Sequence, residues 1–153
     1  MPVVTVTPTL SVAGAYATGD YIGQSATPES FSLATLPTPS PARAVVTSLV
    51  ITDKLTTAAV ALELWLFTQT FVAPTDNAAW AISDAEALTC VGVIPITTDR
   101  WFANSNSKVY SDYGINLVVK AAASSLFFAL VARGTTPAWA AGDLQLSLGL
   151  LGD

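Results

Sequence analysis

Apolar and polar residues alternate with a period of two through most of the chain, the signature of β-strands with one face turned inward. Residues 143–150 show it most cleanly: Leu144, Leu146, Leu148 and Leu150 fall on one face, and Gln145, Ser147 and Gly149 on the other. Val3-Val4-Thr5-Val6-Thr7 is a β-branched opening strand that Pro8 ends or marks as an edge. Ala44–Thr52 predicts a long strand closed by the turn pair Asp53-Lys54 and a Thr-rich turn. Val60–Gln69 predicts another, with Leu62, Leu64 and Leu66 on one face and Trp65 and Phe67 sharing the other with Glu63, so that both faces are largely covered. Further strands are expected at Thr89–Thr97, Lys108–Ser111, Gly114–Ala121 and Leu126–Arg133.

Helical signals are confined to one stretch. Thr75-Asp76-Asn77 offers N-cap chemistry ahead of Ala78–Ile82, and Ser83–Leu88 reads as a single capped turn. Ala13–Ala42 is rich in Gly, Ser and Pro, including Pro37, Pro39 and Pro41, and is expected to be a long irregular arm with at most a short strand around Tyr21–Gln24. Segments of this length are usually functional or docked. Roughly eight strands without a βαβ rhythm give the fold class. It is all-β: a single-domain antiparallel β-sandwich, jelly-roll-like, with a long N-terminal arm and one short helix. Residues 1–42 form the N-terminal strand and arm, and 43–153 the sandwich body. No repeat with a period of about 20 to 50 residues is present.

Composition changes this picture in one respect. The chain is 52% hydrophobic and 11% charged, whereas soluble domains carry about 25% charged residues. A folded chain of 15.8 kDa exposes roughly 7,300 Å², so much of its surface must be Thr, Ser, Ala and apolar groups. Large patches of that kind mark subunit contacts; a monomer coated with Thr and Ser is the plainer alternative.

Charge and residue counts then remove whole classes of chemistry. With no histidine, Ser-His-Asp and Cys-His nucleophiles and nearly all zinc and iron sites are excluded. The single Cys90, with apolar Val91 and Val93 following it, reads as a buried thiol outside any internal disulfide. Net charge −5 and a pI near 4.3 leave no basic stripe, so no direct nucleic-acid partner is expected. Met1–Gly14 lacks the pattern of a secretory signal, and Ala121–Ala132 is shorter than the roughly 20 residues of a membrane helix. A soluble chain with no membrane partner is expected.

Few residues remain that carry chemistry. Asp84 and Glu86, with Asp76 upstream, are the densest carboxylates and admit an acid/base pair for glycoside hydrolysis. At spacing i, i+2 they diverge on a helix, and a first-turn acidic cluster facing the helix dipole explains them more simply. Asp76, Asn77 and Asp84 admit Ca²⁺, but their spacing fits no EF-hand loop. The expectation is therefore no metal and no cofactor. Trp80, Trp101 and Trp139, with Tyr110, Tyr113 and Asn104, offer the aromatics of a sugar-stacking platform, although core plugs and interfaces use the same residues. Arg100 and Asp112 read as solvated or paired turn residues. The interface candidates are Val3, Val4, Val6, Tyr16, Tyr21, Trp101 and Trp139.

Several phrases together carry a resemblance: Ala15-Tyr16-Ala17-Thr18-Gly19-Asp20 with Ile22-Gly23, Asp53-Lys54, Leu64-Trp65-Leu66-Phe67, Pro74-Thr75-Asp76-Asn77-Ala78-Ala79-Trp80 with Ser83-Asp84, Ala132-Arg133-Gly134-Thr135 with Pro137, and Asp143-Leu144-Gln145-Leu146. In this pattern the chain resembles small virion proteins of tailed bacteriophages. The resemblance implies a head decoration, or cement, protein: a β-sandwich homotrimer that clamps neighbouring subunits of the major capsid protein, on the capsid exterior in the virion and in the host cytoplasm during assembly. It carries over no catalytic residue, so no enzyme is implied. An acidic chain suits the outside of a shell. In this reading Pro2–Pro41 contacts the major capsid protein and the sandwich body forms the trimer. A tail, baseplate or head-fibre subunit is the nearest competitor, and a carbohydrate-binding jelly-roll module stands in a different class.

Overall fold

In the computed structural model, residues 2–10, 14–36, 43–55 and 59–152 are described. The strands are β1 (Val3–Val6), β2 (Tyr21–Ile22), β3 (Glu29–Ser32), β4 (Arg43–Asp53), β5 (Leu62–Phe67), β6 (Cys90–Ile96), β7 (Trp101–Ala103), β8 (Lys108–Lys120), β9 (Ser125–Ala132) and β10 (Leu144–Gly152). One helical turn, α1 (Asp84–Ala87), precedes β6, and a 3₁₀ turn (Thr98–Arg100) precedes β7.

Two antiparallel sheets result. The first has the order β1-β10-β4-β8-β7; the second runs β2-β9-β5-β6, with β3 following β2 along the same edge of β9. The chain crosses repeatedly between them, so that β1, β10, β4 and β8 oppose β3, β9, β5 and β6. That is the order of a jelly roll, in which strands adjacent in a sheet are distant in sequence. The expected sandwich is therefore present, with ten strands among the described residues rather than roughly eight, β3 and β7 being elements that the sequence pattern did not disclose.

Alternation decides which side chains form the core. Leu144, Leu146, Leu148 and Leu150 of β10 are all buried and meet Leu49 and Ile51 of β4 and Leu62, Leu64 and Leu66 of β5 between the sheets. Gly92 of β6 lies in the same layer. A Cβ there would stand 2.8 Å from Leu117 Cδ2 of β8, so the missing side chain is what lets the two sheets close at this point. Pro95, which cannot donate to a ladder, sits on β6 at the edge of its sheet.

Three expectations are corrected. Lys108–Ser111 and Gly114–Ala121 are one strand, because Ser48 pairs with Tyr113 and Val46 with Leu117, leaving residues 114–116 bulged opposite Thr47. Gly114 (φ +83°) and Asn116 (φ 55°) supply the left-handed backbone that the bulge requires. No helix covers 78–82: Ala78 N–H closes a turn onto Thr75 O, and Ala79 bridges to Asp20. The helix begins at Ser83, which caps it through a reciprocal pair with Glu86. The described part of the expected arm is irregular but packed, with Tyr16, Tyr21, Ile22, Phe31, Leu33 and Leu36 buried. Its prolines at 37, 39 and 41 and most of the Thr-rich turn after Lys54 lie outside the described residues.

The register makes a direct prediction. Leu148→Ala, at the centre of the core, should cost about 3 kcal/mol, while Leu151→Ala, pointing outward on the same strand, should stay within about 0.5 kcal/mol of the parent. Urea denaturation of both variants measures the contrast, and similar losses in the two would contradict the assigned face.

Candidate functional site

The outer face of the second sheet is covered over β5 and β9, while Val93 of the edge strand β6 is 39% exposed. Outside β5 and β9, Trp65, Phe67, Phe127 and Ala129 are covered by Tyr21, Phe71 and Trp80. The rings interlock: Phe67 and Phe71 lie 4.6 Å apart, Tyr21 stacks on Trp80 at 5.8 Å, and Phe71 meets Trp80 edge-on at 5.7 Å. Glu63 and Arg133 pair at 2.8 Å near this cluster, and Trp65 donates to Glu63 at 2.9 Å.

Asp76 fastens the covering segments. It is 2% exposed, and its Oδ1 accepts from the Tyr16 hydroxyl at 2.9 Å and from Gly23 N–H at 3.2 Å. The Tyr16 phenol is raised by burial and by this bond to Asp76. Nearby, Glu29 Oε1 accepts from Thr9 N–H at 2.7 Å, its Oε2 is buried without a hydrogen-bond partner, and burial raises its carboxyl above the ordinary range. Asp76 is thus a structural anchor, rather than the helix cap that its sequence context implies. Asp84 and Glu86 do lie in the first turn of α1, where backbone and side-chain bonds from Val72 and Ser83 hold Glu86 low. Asn77 stands at φ 64° in the preceding turn. Among the described residues no three His, Cys, Asp or Glu side chains gather as a metal-binding group, and no helix is long and apolar enough to cross a membrane.

The seven interface candidates separate on burial. Tyr16 and Trp139 are 1% exposed and Tyr21 is 0% exposed, so all three belong to the interior of the folded chain and present no contact surface. Val4 is buried and Val6 packs against the same core. Trp101 is partly buried, its indole N–H donating to Val60 O at 2.9 Å and its ring against Tyr110 at 5.7 Å. Val3 alone among them is strongly exposed, at 64%. The strand that carries it pairs with β10 on one side and forms the edge of its sheet on the other. Tyr16, Tyr21 and Trp139 misled because loop aromatics look alike in sequence whether they plug a core or face a partner. Of the residues considered for a sugar platform, Trp80 and Tyr110 are likewise used for packing.

What sequence reasoning missed is the outer face of the first sheet. Its cross-strand rows read Leu151–Val45–Val118, Val3–Gly149–Ser48–Tyr113, Thr5–Ser147–Val50–Ser111 and Gln145–Thr52–Val109–Phe102. No charged residue occupies any of them; charge enters only at the next pair, Arg43 and Lys120. Tyr113, Val118, Phe102 and Leu151 are between 55% and 74% exposed. Some of the hydroxyls are bonded within the face, Thr5 to Ser147 at 3.0 Å and Thr47 donating to the Gly149 backbone carbonyl at 3.1 Å. The signal was present as outward positions on four strands, but only the register aligns them.

No family model matches the chain, and no curated protein sequence matches it. A solved structure to which it is similar is the crystal structure of the infectious bursal disease virus VP2 subviral particle, at 12% identity and a TM-score of 0.40. The alignment covers 99% of this chain and 32% of that one, so the chain spans about a third of that protein's length.

The buried carboxyl of Glu29 sets a pH prediction. Its folded-state pKa lies above the unfolded value, so its contribution is fully retained below the unfolded pKa of about 4.3 and is lost as pH rises through the folded value. Glu29→Gln should therefore gain stability relative to the parent at about pH 7 and lose that advantage below about pH 4. Urea midpoints at the two pH values measure it; an advantage independent of pH would refute the assignment.

Proposed function

We propose that this chain is a non-catalytic structural subunit of a bacteriophage virion, a decoration protein that binds the major capsid protein on the capsid exterior as a homotrimer. The observation that carries the reading is the charge-free outer face of the first sheet, on a chain with little charge anywhere. The docking patch is the part built from β1, β10, β4 and the Val118 end of β8, with Val3, Leu151, Val45 and Val118 as its apolar contacts. From ordinary strand rise and spacing it measures roughly 450 Å². Seated on an equal surface it buries about 900 Å², just under the roughly 1,000 Å² of a stable specific interface. Three such patches on one trimer clear that threshold together, by avidity and without a single strong site. The fold is compatible with the role and does not define it, since jelly rolls serve capsids and lectins alike. Contact of this kind needs no metal, cofactor, membrane or nucleic acid.

Light scattering on the purified chain should give a trimer mass, and the chain should co-sediment with undecorated capsids. Val118→Asp and Leu151→Asp, both outward-facing, should keep the thermal midpoint while weakening decoration at least about tenfold, because each buries a charge in an apolar contact. Undiminished decoration by both variants would remove this face from the account, and a strictly monomeric chain would remove the trimer.

A further inference from the structure

At the opposite corner of the same sheet, where β7 meets β8, lies an open cleft of about 550 Å³ lined by Arg100, Phe102, Ser111, Asp112 and Tyr113. We propose that this cleft binds a neutral saccharide, a function separate from the virion contact described above. The cleft is open to solvent, so it takes one face of a ligand rather than enclosing it. Its make-up, two aromatic rings beside a small polar group, is what pyranose rings require: their C–H faces are apolar and stack on aromatic planes, while their hydroxyls seek planar donors and acceptors.

Phe102 and Tyr113 supply the planes. They are 65% and 74% exposed, and both come from the outer face of the sheet, Phe102 opposite Val109 and Tyr113 opposite Ser48. Rings this exposed are available to cover a ligand without disturbing the core. The polar group of the lining is Arg100, whose guanidinium donates to Asp112 Oδ1. A guanidinium carries five N–H donors and a carboxylate about four acceptor sites, so one mutual bond leaves both able to engage adjacent hydroxyls. Ser111 completes the lining.

Charge fixes the class of sugar. A second hollow of about 300 Å³ shares Arg100 and Asp112 and adds Asp99. The cation of the cleft is thus faced by two carboxylates, on a chain of net charge −5. Sialylated, uronic or sulfated glycans meet repulsion there; neutral hexose and N-acetylhexosamine chains do not.

The test is an array of neutral oligosaccharides printed beside sialylated, uronate and sulfated ones, followed by calorimetric titration of the strongest neutral hit. Retention of neutral glycans is expected, with Phe102→Ala and Tyr113→Ala each weakening the titrated hit at least about tenfold. Both variants should keep the parental thermal midpoint, and Val118→Asp, on the docking patch, should keep glycan binding, so that failure here and failure of the capsid contact are told apart. The proposal is overturned if no neutral glycan is retained, if acidic glycans are preferred, or if binding survives both aromatic substitutions.

Discussion

Where β9 and β5 meet, the second sheet is buried on both sides, and the arrangement of the rest of the chain depends on that. β9 alone places Leu126, Phe128 and Leu130 toward the first sheet and Phe127 and Ala129 away from it. A sheet that is apolar on both faces cannot stand against water, so a second layer must cover it. The chain makes this layer largely from irregular backbone, residues 68–83, together with Tyr21 of β2, rather than from helices. Irregular backbone carries polar groups without regular partners, and their burial is tolerable only when each is bonded. Asp76 resolves this by accepting from Tyr16 and Gly23 at once, while Tyr21 exchanges backbone bonds with Asn77 and Ala78.

The first sheet shows the complementary condition. Its inner face completes the sandwich core, and no segment of the described chain covers its outer face. Since the chain has few charges, that face is furnished with Val, Leu, Thr, Ser and aromatics, and its hydroxyls partly bond one another. A charged surface protects an isolated protein from association; this one is unprotected over four cross-strand rows. The low charge of the sequence and the bare face of the sheet are therefore one property seen at two levels, and the proposed attachment to a capsid surface follows from their coincidence.

Much of the fold was legible because it rests on local periodicity. The alternating leucines of β10, the branched run of β1 and the capped turn opened by Ser83 each act over a few residues, and each formed where the pattern placed it. Asp76 could not be read in this way. Its partners lie 53 and 60 positions distant, so its sequence neighbourhood advertised a helix cap while the folded chain used it as an anchor. β7 and β3 were missed for a related reason: each is three or four residues long and becomes a strand only because a longer neighbour, β8 or β9, offers it an edge.

The sequence by itself determined the β class, the inward set of each long strand, the single helical turn and the scarcity of charge, all consequences of residue type and spacing. Tertiary structure decided the rest. It chose which aromatics became core, sending Tyr16, Tyr21 and Trp139 inward and leaving Phe102 and Tyr113 outside, because burial depends on which segments pack over a residue and not on the residue's own hydrophobicity. It also set the register that lines up Leu151, Val45 and Val118 from three strands into one apolar row. Cross-strand alignment depends on non-local pairing of β10 with β4 and β4 with β8, so no local pattern of residues can specify it.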